Sequence, residues 1–157
     1  MKWVAWRIVQ ARHVDVAFTG DGARLYGGRW NHKGTLMVYA AGSVSLAALE
    51  MLAHLETHQL LNDYVCIPVT FDEAFCRKID LASLPDDWRL DPVPSSTKDV
   101  GTQWTRDLSS AVLAVPSALV PLEMNFLINP RHPDFEKLDV GDSQAFQYDP
   151  RLIKRDS

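Results

Sequence analysis

The chain has 157 residues, of which 46% are hydrophobic and 23% charged, an ordinary globular composition with enough length for a substantial core. A net charge of -4 without any Lys/Arg run argues against a dedicated nucleic-acid-binding protein, because neutralising phosphates needs a basic surface. The sequence has neither a signal-peptide pattern nor an apolar run long enough to span a bilayer, so we expect one cytoplasmic, soluble domain over residues 1–157.

The first half of the chain predicts three strands and one helix. Residues 2–9, 36–40 and 64–71 alternate or cluster β-branched and aromatic side chains as strands do. Residues 43 to about 57 have helical periodicity, with Ser43 as the N-cap. A loop rich in glycine separates the first two strands; its five glycines are Gly20, Gly22, Gly27, Gly28 and Gly34.

The second half has weaker signals. Residues 84–88 form a turn with an aromatic plug, and the Pro/Ser-rich residues 92–96 predict a surface connection. A short helix is expected over residues 101–110, centred on Trp104, followed by strands at 111–115 and 123–128. Residues 131–157 read as a tail of mixed charge. Together, the predicted strands and helices indicate a mixed α/β fold of the α+β class.

Glu50 is the most unusual residue of the predicted helix. It lies away from the main apolar stripe, on the side where a charge is normally solvated, but Leu46, Leu49 and Ala53 share that side. A helix that is apolar nearly all round is usually covered on more than one face, and an enclosed carboxylate needs a partner. Two interpretations follow: a site carboxylate, or an ordinary surface pair with His54 at i+4.

Several common chemistries have no motif here. The sequence contains neither a Rossmann nor a P-loop glycine pattern, and neither G-x-S-x-G nor H-E-x-x-H. His54 and His58 form an i, i+4 pair without an accompanying set of carboxylates, so no metal site is expected. Cys66 and Cys76 lie in strand-like or apolar segments and are predicted to be buried thiols in a reducing compartment.

Ordered blocks over almost the whole chain resemble the RES domain, which is named for its Arg, Glu and Ser. The blocks are GGRWN at 27–31, VYAA at 38–41, ALE at 48–50, LAVPSALVPLEMNFLINPRHPDF at 113–135 and YDPRL at 148–152. Leu84-Pro85-x-x-Trp88 and Gly101-x-x-Trp104 fit the same order. Any one block would be weak evidence, but their order and spacing make the resemblance specific.

The resemblance implies a fold and a function. RES proteins are the toxins of bacterial RES/Xre type II toxin-antitoxin modules, with a compact ADP-ribosyltransferase-like mixed fold in which short helices flank a central strand core. They use NAD as substrate: most are expected to cleave it at the nicotinamide-ribose bond, whereas some ADP-ribosylate a protein. The implied partner is an Xre-type helix-turn-helix antitoxin that covers the NAD pocket. Neither a membrane nor direct nucleic-acid binding is implied.

The family's site positions match five residues of this chain: Arg7, Arg29, Tyr39, Glu50 and Ser117. Cleavage of the nicotinamide-ribose bond develops positive charge on the ribose, so a carboxylate that holds its hydroxyls lowers the barrier, and Glu50 fits this role. Ser117 could hydrogen-bond Glu50 or the ribose. We therefore expect Glu50, Arg29, Tyr39 and Ser117 to be catalytic.

The expected NAD-binding residues overlap with this set. The pyrophosphate suits the planar donors of arginine, which indicates Arg7 and Arg29. Tyr39 could stack on nicotinamide, and Asn31 is the fourth binding candidate.

Structural interpretations remain open for each candidate. Arg7 could form an ion pair, Arg29 could cap a turn, Tyr39 could be core and Ser117 could belong to a hydroxyl-capped turn. Matching residues that are interpreted mainly as scaffold are Trp30, Asn31, Glu123 and Asn125. A protein ADP-ribosyltransferase with the same site, and a chain that mainly binds an antitoxin, are the alternatives to an NAD-degrading enzyme.

Overall fold

The computed structural model describes residues 1–153, and within them a mixed α+β fold surrounds one sheet. The strands are β1 (Lys2–Gln10), β2 (Val38–Ala41), β3 (Tyr64–Asp72), β4 (Cys76–Lys78), β5 (Val112–Pro116), β6 (Met124–Ile128), β7 (Asp139–Val140) and β8 (Gln144–Phe146). The α-helices are α1 (Asp21–Tyr26), α2 (Val44–Leu52) and α3 (Ser95–Asp107). The predicted central strand core with short flanking helices is confirmed.

The sheet has the strand order β4-β5-β6-β2-β1-β3-β7, and β8 also pairs with β3. Strands β1 and β3 are antiparallel along their whole length, from Lys2 opposite Asp72 to Gln10 opposite Tyr64. By contrast, β1 and β2 share one pair, Trp6 opposite Ala41. The sheet therefore opens between β1 and β2 beyond this pair.

Apolar side chains cover both faces of the sheet. One face carries a large cluster that includes Val38, Ala40, Phe126 and Ile128, and beside it a small cluster of Val9, Ala17 and Ile67. The strand residues that alternate with these support two further clusters. The α2 cluster consists of Ile8, Ala41, Leu46, Ala47, Leu60, Tyr64, Cys66 and Tyr148. The α3 cluster consists of Trp30, Met37, Trp104, Leu113, Val115 and Leu127, with Tyr39 packed against it.

Helix α2 begins as predicted, because the Ser43 hydroxyl accepts a hydrogen bond from the Leu46 N–H at 3.0 Å. It ends at Leu52 rather than near Thr57, because Glu56 caps a separate 3₁₀ helix that starts at Thr57. Leu46 is only 3% exposed although it lies off the predicted apolar stripe. Leu49, which is 41% exposed, and Ala53 are open to solvent, so the expected cover over the side that carries Glu50 is found for Leu46 alone.

Helix α3 is longer than predicted and begins earlier. The Pro/Ser run interpreted as a surface connection is the start of the helix, with Pro94 at the N-cap in extended conformation. The fixed φ of proline suits this position, and its missing N–H costs no helical hydrogen bond. The helix ends at Leu108, which has a positive φ of 52°.

Residues 132–153 are more structured than the tail predicted for residues 131–157, of which residues 154–157 lie outside the described part of the chain. Strands β7 and β8 both pair with β3. Tyr148 is 7% exposed, packs edge-on against Tyr64 with ring centroids 5.6 Å apart, and donates its hydroxyl to the Ala48 carbonyl at 2.7 Å. Long-range packing therefore orders a segment that has little periodicity of its own.

Cys66 is buried and Cys76 is only partly buried, so the prediction of buried thiols is right for the first alone. In residues 1–153, no helix is long and apolar enough to cross a membrane. The same residues contain no group of three or more His, Cys, Asp or Glu side chains placed to hold a metal ion.

Candidate functional site

Glu50 projects from α2 toward the ends of two strands. Its Oε1 accepts hydrogen bonds from Ser117 Oγ at 2.6 Å and from Asn125 Nδ2 at 2.8 Å. Of the two partners expected for Ser117, Glu50 or the ribose, the structure shows the hydrogen bond to Glu50. His54 lies beyond the end of α2, and within residues 1–153 no hydrogen bond or ion pair joins it to Glu50. The interpretation of Glu50 as half of a surface Glu/His pair is therefore wrong.

Ser117 is fully buried just after β5, and its position fixes the direction of its hydroxyl proton. The oxygen accepts hydrogen bonds from the N–H groups of Leu119 at 3.1 Å and Val120 at 3.0 Å. A hydroxyl has one proton and two acceptor lone pairs. Because both lone pairs face N–H groups, the proton is directed to Glu50. Ser117 therefore both caps the turn with its hydroxyl oxygen and donates a hydrogen bond to Glu50.

Asn125 was interpreted from sequence as scaffold, and the structure adds it to the Glu50 cluster. It lies inside β6, opposite Ala41 on one side and Val115 on the other. Asparagine is disfavoured inside strands, and this one stands between Met124 and Phe126. That mismatch was the one sequence signal that could have indicated it.

Arg29 sits in a tight turn that Gly28 and Asn31 close through a backbone hydrogen bond of 3.1 Å. Its Nη1 donates to the carbonyls of Trp88 at 2.8 Å and Leu90 at 3.0 Å. These bonds hold the arginine against the loop before α3. Among residues 1–153, no carboxylate lies within salt-bridge distance of this guanidinium.

Tyr39 and Asn31 are hydrogen-bonded to each other, and Tyr39 also contacts the backbone of the turn that carries Arg29. The Tyr39 hydroxyl donates to Asn31 Oδ1 at 2.5 Å and accepts from the Trp30 N–H at 3.1 Å. Burial raises the pKa of Tyr39 well above its usual range, although the Trp30 N–H and the charge of Arg29 act in the opposite direction. Tyr39 is therefore a neutral hydroxyl close to Arg29. Its stacking on nicotinamide stays a prediction.

Arg7 lies where β1 and β2 separate. Its Nε donates to the Ala17 carbonyl at 2.6 Å and its Nη1 to the Tyr39 carbonyl at 2.9 Å. Burial lowers the pKa of Arg7 to about 10, so it is still charged at neutral pH. No ion pair to Arg7 occurs in the described part of the chain. The predicted structural ion pair is therefore not found, and a partly buried cation without a carboxylate partner favours an anionic ligand.

Strand β2 connects the carboxylate to the arginines. Asn125 pairs with Ala41, and Tyr39 is two residues from Ala41 on the same face of β2. Diagonal neighbours of this kind are about 7–8 Å apart and within reach of long side chains. Strand β2 thus contacts both the acidic half of the site (Glu50 with its two donors) and the basic half (Arg7 and Arg29). Its Ala41 pairs with Asn125, the Tyr39 carbonyl accepts a hydrogen bond from Arg7, and the Tyr39 hydroxyl accepts one from the Trp30 N–H beside Arg29.

Two surface clefts lie away from these residues. One, of about 470 Å³, is lined by Gly34, Thr35, Leu36, Thr105, Arg106, Leu108, Asn129 and Arg131. The other, of about 340 Å³, lies between the outer face of α2 and residues 146–149 and 152. Neither cleft includes Glu50. We place the candidate site by its chemistry, because a carboxylate held by two donors and two arginines without a carboxylate partner in residues 1–153 are more specific than cleft size.

Comparison with known proteins identifies the class. The family model described as RES domain matches residues 4–149. A "Toxin Res" from Yersinia enterocolitica is 43% identical over 148 residues, which cover 94% of this chain and 97% of that protein. A "Prs ADP-ribosylating toxin" from a Sphingobium species is 37% identical over 156 residues, with 96% of each protein covered.

A solved structure agrees with this class at the level of the fold. A chain in the crystal structure of the M. tuberculosis MbcT-MbcA toxin-antitoxin complex has a TM-score of 0.72 and 18% identity, covering 94% of this chain and 85% of its own. The chain belongs to the RES-domain family, and the relatives named here are toxins.

Proposed function

We propose that this chain is the toxin of a bacterial toxin-antitoxin pair and that it cleaves NAD between nicotinamide and ribose. The observation that supports this most directly is the Glu50 carboxylate, held through one oxygen by the buried Ser117 and the partly buried Asn125. A carboxylate fixed in this way meets a developing positive charge without having to reorganise. The RES relatives add support for a toxin.

The proposed reaction uses charges at both ends of the site. The electron pair of the nicotinamide-ribose bond leaves with nicotinamide, and the ribose becomes a cation that Glu50 stabilises. Water then adds to this carbon and loses a proton, which gives ADP-ribose. Arg7 and Arg29 bind the pyrophosphate, since neither guanidinium has a carboxylate partner in residues 1–153. Phosphate instead of water would accept the ADP-ribose by the same step.

Protein ADP-ribosylation with the same site is the second candidate. The 37% identity to the Sphingobium toxin, which is named for this activity, favours it. The two activities differ only in the group that attacks the ribose. They are separated by incubating pure protein with labelled NAD in the presence of cell extract. Free nicotinamide without labelled protein supports NAD degradation, and labelled protein supports transfer.

Two substitutions test the site. Glu50→Ala and Arg29→Ala should each lower the rate of nicotinamide release, by about a hundredfold or more for Glu50. Glu136→Ala and Arg106→Ala are the matched controls, because both side chains are exposed. They should retain the parental rate. If Glu50→Ala or Arg29→Ala turned over NAD as fast as the parent, our site assignment would be wrong.

We further propose that the partner is an Xre-type helix-turn-helix antitoxin that covers this site in the cytoplasm. The fold shared with a chain of a toxin-antitoxin complex supports a partner of this general kind. If the reading frame beside this gene encodes such a protein, the two should co-purify, and the complex should release nicotinamide more slowly than the free toxin. A complex as active as the free toxin would contradict coverage of the site.

A further inference from the structure

Asn125 is held rigidly and its amide has only one reasonable orientation. Its backbone lies in an interior strand, paired on both sides. Its nitrogen faces Glu50 Oε1 at 2.8 Å, and an ionised carboxylate can only accept hydrogen bonds. The opposite orientation would set two acceptors against each other. The amide oxygen must therefore point away from Glu50 Oε1.

That amide oxygen has no protein partner. Asn125 Oδ1 is buried, and no donor among residues 1–153 reaches it. The other two interior asparagines provide a comparison. Asn31 Oδ1 accepts from Tyr39, and Asn129 Oδ1 accepts from the Arg131 N–H at 3.0 Å. The side-chain oxygens of these two asparagines thus have hydrogen-bond donors, whereas that of the asparagine beside Glu50 does not.

One of the two carboxylate oxygens of Glu50 accepts no hydrogen bond from the described residues. Both of its hydrogen bonds end at Oε1, and none of the described residues donates to Oε2. Glu50 Oε2 and Asn125 Oδ1 are therefore two free acceptors on side chains that are hydrogen-bonded to each other. Burying the Asn125 acceptor without a donor is unfavourable, so a ligand that supplies hydroxyl donors is favoured here.

We propose that Asn125 is a substrate-binding residue and that its Oδ1 and Glu50 Oε2 together accept hydrogen bonds from the vicinal diol of the nicotinamide ribose. This inference rests on the proposed NAD cleavage and specifies which part of NAD the acidic half of the site binds. Asn125 has two roles: Nδ2 positions the Glu50 carboxylate, and Oδ1 binds one ribose hydroxyl. A ribose that lacks this hydroxyl loses one of the two contacts.

The binding role is tested by removing the Asn125 amide and a ribose hydroxyl, first separately and then together. Parent and Asn125→Ala are compared by kcat/KM on NAD and on analogues whose nicotinamide ribose is 2′-deoxy or 3′-deoxy. On NAD, Asn125→Ala should lose on the order of tenfold or more, the effect of a lost hydrogen bond. On one of the two analogues, the loss caused by the substitution should shrink by about tenfold, because the substrate has already lost that hydrogen bond. The comparison cancels the differing intrinsic reactivity of the analogues.

Asn129→Ala is the matched control, since it removes another buried asparagine from the end of the same strand. Asn129→Ala should lower thermal stability but leave the ratio of kcat/KM on NAD to kcat/KM on each analogue as it is in the parent. If Asn125→Ala is instead equally impaired on NAD and on both analogues, Asn125 does not bind a ribose hydroxyl and the proposal is overturned.

The positioning role is tested with Asn125→Asp, which preserves shape and the acceptor but loses the donor. Two adjacent carboxyl groups disfavour each other's ionisation, and a proton between them restores a donor to Glu50. The kcat of Asn125→Asp relative to the parent should therefore rise as pH falls from about 8 to about 5.5. A ratio that does not change with pH would overturn the positioning role.

Failure of the inference can be distinguished from failure of the proposed function. Carba-NAD, which keeps both hydroxyls but cannot be cleaved, provides a binding measurement independent of turnover. A parent protein that neither cleaves NAD nor binds carba-NAD overturns both proposals. A parent that cleaves NAD while Asn125→Ala shows no coupling to either hydroxyl overturns only the assignment of Asn125.

Discussion

Gly101 determines how closely α3 approaches the turn that carries Arg29. A Cβ atom at this position would lie 2.0 Å from the Trp30 carbonyl oxygen, so only glycine fits. The contact is reinforced by the His32 N–H, which donates to Thr102 Oγ1 at 3.0 Å. Gly101 thus permits the close packing of α3 against the turn that holds the Arg29 side chain in place.

We predict that Gly101→Ala destabilises the protein by about 2 kcal/mol or more, because backbone atoms must move to relieve the overlap. The gain in helix propensity from alanine, about 1 kcal/mol, is smaller than this cost. Gly22→Ala in α1 is the control, since a Cβ there meets nothing within 4 Å. Urea unfolding measures both; equal stability of the two variants would contradict the prediction.

Cys76 should react slowly with alkylating reagents. Burial raises the pKa of its thiol from 9.0 to about 11, and the thiolate is the reactive form. Between pH 7.5 and 9.5 we expect alkylation of a Cys66→Ser protein to be more than tenfold slower than that of free cysteine. Mass spectrometry at timed intervals measures the rate; alkylation as fast as that of free cysteine would contradict burial of the thiol.

The raised pKa of Cys76 also predicts how the stability of the protein changes with pH. The unfolded chain releases the Cys76 proton near pH 9.0, whereas the folded chain retains it to about pH 11. The unfolded state therefore binds fewer protons between these values, and stability must fall as pH rises through this window.

At the scale of elements, α2 is the part of the fold that carries Glu50, and its first turn depends on Ser43. The hydroxyl of Ser43 satisfies the Leu46 N–H, which would otherwise have no helical partner. The helix has only nine residues, too few to be stable alone, so its cap and its packing on the sheet both matter.

We predict that Ser43→Ala lowers the free energy of unfolding by about 1 kcal/mol, the usual effect of losing an N-cap. Ser45→Ala is the control, because Ser45 is an exposed residue of the same helix. It should change stability by less than about 0.5 kcal/mol. The two variants are compared by urea unfolding. An unchanged midpoint for Ser43→Ala would show that packing alone holds the start of α2.

At the scale of the whole molecule, the part of the candidate site formed by Glu50, Asn125 and Arg29 lies where two apolar clusters meet on one face of the sheet. Asn125 is paired with Ala41 of the α2 cluster and with Val115 of the α3 cluster. Glu50 comes from the first side and Arg29 from a turn packed on the second. Glu50 and the turn that carries Arg29 are therefore brought together only when both clusters have formed.

We predict that expression of this chain without an antitoxin arrests bacterial growth, because NAD would be depleted. Expression of Glu50→Ala to the same soluble level should allow normal growth. Cell density and cellular NAD are followed after induction. Normal growth at high soluble expression of the parent, with unchanged NAD, would contradict the prediction.

Local pattern was sufficient for the strands β1, β3, β5 and β6 and for the start of α2. Their signals are short-range: alternation of apolar side chains, and a capping serine before an apolar run. The extent of α3 and the order after residue 131 were not predictable in this way. Both depend on partners distant in sequence, such as Trp30 for α3 and Tyr64 for Tyr148.

For the site, the sequence alone determined which residue types were present and, through resemblance, the family to which they belong. It also indicated that Glu50 needs a partner, because an apolar helix leaves little water around a carboxylate. Only the tertiary structure decided that this partner is Ser117 together with Asn125 rather than His54. The reason is physical: hydrogen bonds between residues 67 and 75 positions apart depend on how strands and helix pack, and no local periodicity encodes that.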